Sequence, residues 1–236
     1  MKKSINNIVT ILSRELYSYF YSSTAYIFIA VLFSISALIF MNLFVYQGNT
    51  ELRFYFDAVS KLVFIFCPIL AMRSFSEEKR EGTFLLLKTS PVSMLEIVIG
   101  KYLGVLSVFF AYLLLSTIFF VSVSPYTDLY LPEIFVQYLG LFLLGATVIS
   151  IGLVFSAATE NQIVAAVGGL FFSLILLFIS SLIESNSGVL RELFKELTII
   201  THYNSFLDGL LELKNIVYFC LLITISLFIT LRFSDS

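Results

Sequence analysis

The sequence predicts an all-α integral membrane protein with six transmembrane helices, on three observations. Hydrophobic residues make up 59% of the 236 residues and charged residues only 13%, against about 25% charged in an ordinary globular domain. At this length a soluble domain leaves roughly 30% of its chain area in water, too much to hide so large an apolar excess. The apolar residues are also segregated. Uncharged runs cover 16–50, 62–72, 102–127, 134–159, 161–183 and 215–231, and a spanning helix needs about 20 such residues. The third observation is the placement of Lys and Arg, which decides the one doubtful span. A soluble enzyme and a disordered chain are excluded by composition, and a net charge of −2 gives no footprint for nucleic acid.

Span 1 is expected at about 24–46, after an amphipathic lead-in over 1–22. The start Met-Lys-Lys followed by an apolar run is read as an uncleaved first span, since the run is too long for a signal-peptide core. Span 2 is the doubtful one. Residues 62–72 alone rise only ~16 Å as a helix. Extension to 52–72 reaches ~31 Å and takes in Arg53, Asp57 and Lys61. Asp57 and Lys61 are four apart, so they meet on one face and offset each other's charge. Spans 3 to 6 follow at about 101–124, 134–158, 162–183 and 214–231.

With six spans and both termini on the cytoplasmic side, nine of the 14 Lys and Arg fall inside: Lys2, Lys3, Arg14, Arg73, Lys79, Arg80, Lys88, Lys101 and Arg232. Arg53, Lys61, Arg191, Lys195 and Lys214 fall outside. A five-span chain would have the majority outside, against the positive-inside rule. There is no Trp, so the interfacial belt is expected from tyrosines: Tyr17, Tyr19, Tyr21, Tyr26, Tyr46, Tyr102, Tyr126, Tyr130, Tyr138 and Tyr218. Only Tyr112 looks mid-membrane. Spans 4 and 5 carry small residues at i, i+4, Gly152 with Ser156 and Ala165 with Gly169, which permits close backbone approach in lipid. Cys67 and Cys220 both lie in apolar stretches and read as two buried thiols.

Much chemistry is missing from the sequence. No midplane carboxylate is available for ion or proton coupling. His202 is the sole histidine and reads as an interfacial polar residue, so neither a metal cluster nor a Ser–His dyad can be built. Gly100-Lys101 is preceded by Leu95 and followed by Tyr102, which fails the phosphate-loop pattern. The chain is therefore expected to carry no cofactor and no enzyme activity, and energy for any driven work must come from another chain.

Two segments are rich in pattern. Residues 73–81 hold Arg73, Lys79 and Arg80 against Glu77, Glu78 and Glu81, the mixture of a water-exposed helix. Gly82, an apolar patch at Phe84–Leu87 and Ser90-Pro91 follow, and then Ser93 with Glu96 forms a capping box leading into span 3. Across 184–213, Val189, Leu190, Leu193, Phe194 and Leu197 share one helical face. Phe206, Leu207, Leu210 and Leu211 make a second apolar stripe. That pattern suits helices in the outer headgroup layer.

The ordered set Pro68-Ile-Leu-Ala-Met-Arg73-Ser-Phe-Ser-Glu77-Glu78-Lys79-Arg80-Glu-Gly82-Thr83, Leu86-Leu87, Ser90-Pro91 and Gly100-Lys101 resembles the type-2 ABC transporter permease family. The turn Ser156-Ala-Ala-Thr159-Glu160-Asn161-Gln162 is similar to that family's turn between spans 4 and 5. Within the family the pattern is most like the gliding-motility-associated permease subunit of Bacteroidetes, with metalloenzyme-maturation permeases similar. The resemblance implies a single permease domain over 1–236 in the bacterial inner membrane. It implies a cytoplasmic coupling helix within residues 77–90, with Glu77, Glu78, Lys79, Arg80, Gly82 and Thr83 contacting a separate ABC ATPase. It further implies a second permease copy or a paralogous membrane subunit, and a partner with a large periplasmic domain. Short re-entrant helices before span 6 would close the pore, with Phe194, Leu197, Phe206 and Leu210 as outer-gate residues. Thr117, Ser116, Thr147 and Ser150 are the hydroxyls expected along the path. A lipid-like substrate, or mechanical work on a periplasmic partner, suits such spans better than a small ion. The alternatives are a maturation permease, a non-transporting scaffold that docks an ATPase, and an uncoupled channel.

Overall fold

A computed structural model of the chain describes residues 2–46, 51–88, 92–124, 130–185 and 198–235. Among these residues the secondary structure is helical throughout. The helices are α1 (Lys2–Tyr21), α2 (Ser23–Phe40), α3 (Leu52–Ala71), α4 (Arg73–Arg80), α5 (Thr83–Lys88), α6 (Met94–Val123), α7 (Leu131–Ala158), α8 (Gln162–Ser185), α9 (Ile199–Leu207) and α10 (Leu213–Asp235). α2 continues as a π-helical turn over Met41–Tyr46. Six stretches are long and apolar enough to cross a membrane, carried by α2, α3 with α4, α6, α7, α8 and α10. These match the six expected spans. An even number of crossings returns the chain to its starting side. The proximal end of the bundle gathers α1, α4, α5 and the α7–α8 turn, and the distal end carries α9.

α7 is the central post, packed against α3, α6, α8 and α10. Its packing depends on glycines where side chains would collide. A Cβ on Gly145 would fall 2.1 Å from the Phe109 ring of α6, and one on Gly152 would fall 2.8 Å from the Ala71 Cβ of α3. A Cβ on Gly169 of α8 would lie 3.2 Å from Pro68 Cβ and 3.6 Å from Gly152 Cα. The small residues of spans 4 and 5 thus seat α7 and α8 on α3. This is packing within one chain, with dispersion supplying the attraction that a hydrophobic driving force cannot supply in lipid.

Several elements differ from the sequence expectation. The start of α6 is not one of them: it lies at the capping box read from the sequence, seven residues ahead of the span, where Ser93 Oγ accepts from Glu96 N at 3.3 Å and Ser93 N donates to Glu96 Oε2 at 3.1 Å. The second span does not stop at residue 72. Met72 keeps helical dihedrals, so α3 passes into α4 with only a local turn. The tyrosine belt is half real. Tyr17, Tyr21, Tyr26, Tyr46 and Tyr130 are exposed, but Tyr19 and Tyr102 are buried. Tyr126 lies outside the described residues. Tyr112 is buried in mid-bundle, its hydroxyl paired with Ser36 Oγ at 2.6 Å. Cys67 is buried as expected and Cys220 is exposed, because it sits on the outward face of α10. His202 is buried rather than interfacial, with Nδ1 2.7 Å from Asn215 Oδ1 and the ring stacked on Tyr218 at 3.9 Å. Asp57 and Lys61 do pair, at 2.8 Å on an exposed face.

Candidate functional site

The proximal end holds the charged segment singled out in the sequence, and its α3–α4 junction has a specific anchor. Where α3 turns at Met72, the first amides of α4 lose their intrahelical acceptors. Ser156, near the C-terminus of α7, takes them over. Its Oγ accepts from Phe75 N at 3.0 Å and from Ser76 N at 3.2 Å, and donates to Met72 O at 2.6 Å. Lys79 Nζ donates to Ala157 O at 2.5 Å, which places a cation at the carbonyl end of α7, the favourable pole of its dipole. Two elements 80 residues apart are therefore locked together by one hydroxyl and one ammonium.

A second lock uses buried charge. Lys101, in the second turn of α6, is 0% exposed. Its ammonium lies 2.9 Å from Glu15 Oε1 of α1, 2.9 Å from Glu78 Oε2 of α4 and 2.7 Å from Ser74 O. The Glu78 contact is an ion pair whose angle falls outside hydrogen-bond geometry, so Oε2 itself makes no hydrogen bond. Arg14 completes the set, 2.7 Å from Glu78 Oε1 and 3.3 Å from Glu15 Oε1. Two cations and two carboxylates sum to zero, which is the condition for keeping charge out of water. The Phe75 ring face lies 5.2 Å from the Lys101 ammonium and adds a cation–π contact.

Glycines make this cluster possible. A Cβ on Gly100 would fall 2.6 Å from Ile11, and one on Gly104 would fall 2.7 Å from Glu15 Cβ. With no side chain at these i, i+4 positions, α1 lies directly on α6 and brings Glu15 to Lys101. Asn7 Nδ2 donating to Glu96 Oε2 at 3.0 Å fixes the other end of the same contact. Arg73 ties α4 to the α1–α2 joint through Ser22 Oγ at 3.1 Å and through Thr24 Oγ1, while its Nε pairs with Glu77 at 2.7 Å. Tyr19 OH reaches Leu70 O at 3.4 Å, and burial pushes its phenol above the ordinary range.

The six residues expected at the coupling site therefore divide. Glu77, Glu78 and Lys79 are half-buried and face the bundle; Arg80, Gly82 and Thr83 are exposed, together with Glu81. The expected water-exposed helix is amphipathic instead, with Ser74, Phe75 and Ser76 buried. Gly82 takes a positive φ of 72° to end α4, a conformation open to glycine at little cost. Gly82 N bonds to Lys79 O, and Thr83 Oγ1 bonds to Glu78 O. Beyond this elbow Phe84 folds back, edge-on to Phe75 at 6.1 Å. Beside it Arg80 and the α7–α8 turn at Glu160, Asn161, Gln162 and Ile163 enclose a shallow recess. Ser90 and Pro91 lie outside the described residues.

At the distal end, Phe206 is buried against Gly140 and Leu210 is exposed. Phe194 and Leu197 lie outside the described residues, as does the amphipathic stripe from Val189. α9 is not loose on the surface. Tyr203 OH donates to Phe56 O at 3.1 Å, Gln137 Nε2 donates to Leu207 O at 2.9 Å, and Asp208 pairs with Arg53. Its end is a Schellman turn, with Leu210 N on Ser205 O, Gly209 N on Phe206 O and φ of 71° at Gly209. The hydroxyls expected to line a path do not do so within one chain. Thr147 and Ser150 are buried and bond to Leu143 O and Thr147 O, and Ser116 pairs with Tyr138. Thr117 alone of the four lines an open cleft.

Sequence reasoning missed the Lys101 cluster, because Lys101 was counted as a loop charge at the start of a span. The available signal was Gly100-x-x-x-Gly104 flanking it. Among the described residues no group of His, Cys, Asp and Glu could hold a metal ion.

Comparison with known proteins agrees with this architecture. No individual curated protein matches the chain significantly. The family described as ABC-2 family transporter protein matches residues 40–232, which takes in the last five spanning stretches, the elbow and α9, and only the end of the first. Members of that family are membrane permease subunits of ABC transporters and work with an ABC ATPase. The chain belongs to the ABC-2 family of transporter proteins.

Proposed function

We propose that this chain is the permease subunit of an ATP-driven type-2 exporter, in a complex of the gliding-motility type, and that the α4–α5 elbow is where its ATPase pushes. The observation that carries the reading is the way α4 is fixed. It is helical continuation at Met72 to α3, a hydroxyl and ammonium clamp to α7, and a buried ion cluster to α6 and α1. A force on the exposed tip therefore moves several spans as one rigid body. Arg80, Glu81, Gly82 and Thr83 form the exposed contact surface. Glu77, Glu78 and Lys79 transmit. The elbow lies on the cytoplasmic side, with both termini beside it. A second permease copy or a paralogue completes the pore, and α9, with Phe206 as its anchor, closes the outer mouth.

The test is co-purification with the cognate ATPase from a bacterial membrane. Reversal of Arg80→Glu and Glu81→Lys should abolish capture while leaving the permease's yield and melting temperature unchanged, since both residues are exposed. Retention of the ATPase by this variant would overturn the elbow assignment. Transport of a small hydrophilic solute at fixed stoichiometry by the reconstituted complex would overturn the expectation of a lipid-like cargo or mechanical work.

A further inference from the structure

α6 and α7 run side by side but do not stay together. At mid-depth they touch, Gly145 on Phe109, and Tyr102 OH donates to Ala146 O at 3.3 Å. Towards the distal end they part, bridged by the Ser116 and Tyr138 hydroxyls at 3.0 Å and by edge-on rings, Phe110 with Phe142 and Phe120 with Tyr138. Between them opens a cleft of about 620 Å³ that runs from Phe110 and Phe142 up to Ser124 and Leu131.

The walls state what can fill it. Among the described residues no charged side chain lines the cleft. Its hydroxyls are already engaged: Thr117 Oγ1 donates to Leu114 O at 2.7 Å, Ser124 Oγ to Val121 O at 3.0 Å, and Tyr138 is paired with Ser116. These oxygens can still accept, but with their protons used a polar occupant's own acceptors would be desolvated without a donor to meet them. Both walls are membrane-spanning helices, and the rim residues Leu114, Val121, Leu131 and Phe135 are exposed. The cleft is thus continuous with the bilayer-facing surface of the same two helices. Along α6 from Phe110 to Ser124 it runs ~21 Å, which covers the ~15 Å depth of one leaflet's hydrocarbon. A helix about 10 Å wide over that length would occupy roughly 1,600 Å³, far more than the cleft provides, so a second copy would sit on it and not in it.

We propose that this cleft is a binding site for a single lipid acyl chain of the distal leaflet, inserted between α6 and α7 with its glycerol end at Ser124. The inference rests on membrane insertion alone and stands whether or not the elbow binds an ATPase.

The chain has no Trp, so one introduced indole reports one place. Full-length Phe135→Trp, on the cleft wall, and Phe171→Trp, exposed on α8, are reconstituted into phosphatidylcholine vesicles. These contain a rising fraction of phosphatidylcholine dibrominated on its acyl chain, a contact quencher. A retained chain should half-quench Phe135→Trp at a bromolipid fraction at least about twofold below that for Phe171→Trp, since occupancy scales with affinity. Adding Leu114→Phe and Thr117→Phe to fill the cleft should bring the two curves together. If the filled variant misfolds, Phe110→Trp at the other end of the cleft repeats the first reading without narrowing it. Equal quenching of the wall and control indoles means bulk lipid only, and overturns the proposal. Weaker quenching of the wall indole, relieved as protein is diluted in lipid, means a second copy covers the cleft and overturns it as well.

Discussion

The two ends of the bundle are fastened by different physics. The proximal end uses charge: buried Lys101 and Glu15, half-buried Glu78 and exposed Arg14 join α1, α4 and α6, and Ser156 with Lys79 joins α4 to α7. The distal end uses rings, carbonyls and a surface ion pair. Phe40, Tyr55, Phe56, Phe119, Phe120 and Tyr138 stack edge-on and face-on at 5.0–6.4 Å. α9 is held by Tyr203, Gln137 and the exposed Arg53–Asp208 pair. Buried ion pairs fix one geometry, because each partner left alone is costly. Aromatic contacts at these spacings are worth about 0.5–1.5 kcal/mol each beyond area and tolerate sliding. The proximal end is held in one geometry by charge, and the distal end by many replaceable contacts.

Breaking one charge at the proximal end should produce the largest effect. Lys101→Met leaves Glu15 and Glu78 facing each other with Arg14 alone, and should cost about 3–5 kcal/mol. Thermal unfolding of the purified protein in detergent reads it. Adding Glu15→Gln and Glu78→Gln should recover part of the loss. A wild-type melting temperature for Lys101→Met alone would mean the cluster does not form.

Overpacking the distal end comes next. A Cβ on Gly140 would lie 2.4 Å from Phe206 Cβ, so Gly140→Ala should cost about 1–3 kcal/mol. The strain falls on α9, and limited proteolysis around residue 209 should accelerate before the bundle melts. Ser156→Ala should cost about 1–3 kcal/mol, since the amides of Phe75 and Ser76 lose their acceptor. It should also lower ATPase activity stimulated by the permease more than it lowers stability; an equal loss of both would make Ser156 a packing residue only. The smallest effect sharpens the contrast: Asp57→Asn breaks an exposed i, i+4 pair and should shift stability by no more than about 0.5 kcal/mol. A loss near that of Lys101→Met would show that charge matters equally at both ends.

The fold was legible where physics is local. Run length and the Lys/Arg bias identify six spans because a bilayer imposes a single length, and the Ser93–Glu96 box marks the start of α6 because capping is a short-range pattern. The site was legible only in outline. The charges of 73–81 look alike in sequence, yet Glu78 is inside and Glu81 outside. What separates them is the approach of α1, and that is set by Gly100 and Gly104 on a different helix. Burial of His202 and the inward turn of Tyr19 have the same origin. Each depends on a partner more than ten residues distant, which no periodicity within one segment encodes.

Pro68 has a mechanical consequence. It removes one rung from the hydrogen-bond ladder of α3 at the level where Gly152 of α7 and Gly169 of α8 come closest to it. Three backbones thus meet at one point along α3, and a helix that stays straight through that point would pivot there as on a fulcrum. From Pro68 the arm to Arg80 spans 12 residues, ~18 Å, and the arm to Leu52 spans 16 residues, ~24 Å, by helical rise. A rigid tilt about that point moves the Leu52 end in the opposite sense to the elbow, with a throw greater by roughly a third. A 3 Å push at Arg80 would carry Leu52, and with it Arg53 and its hold on α9, about 4 Å the other way.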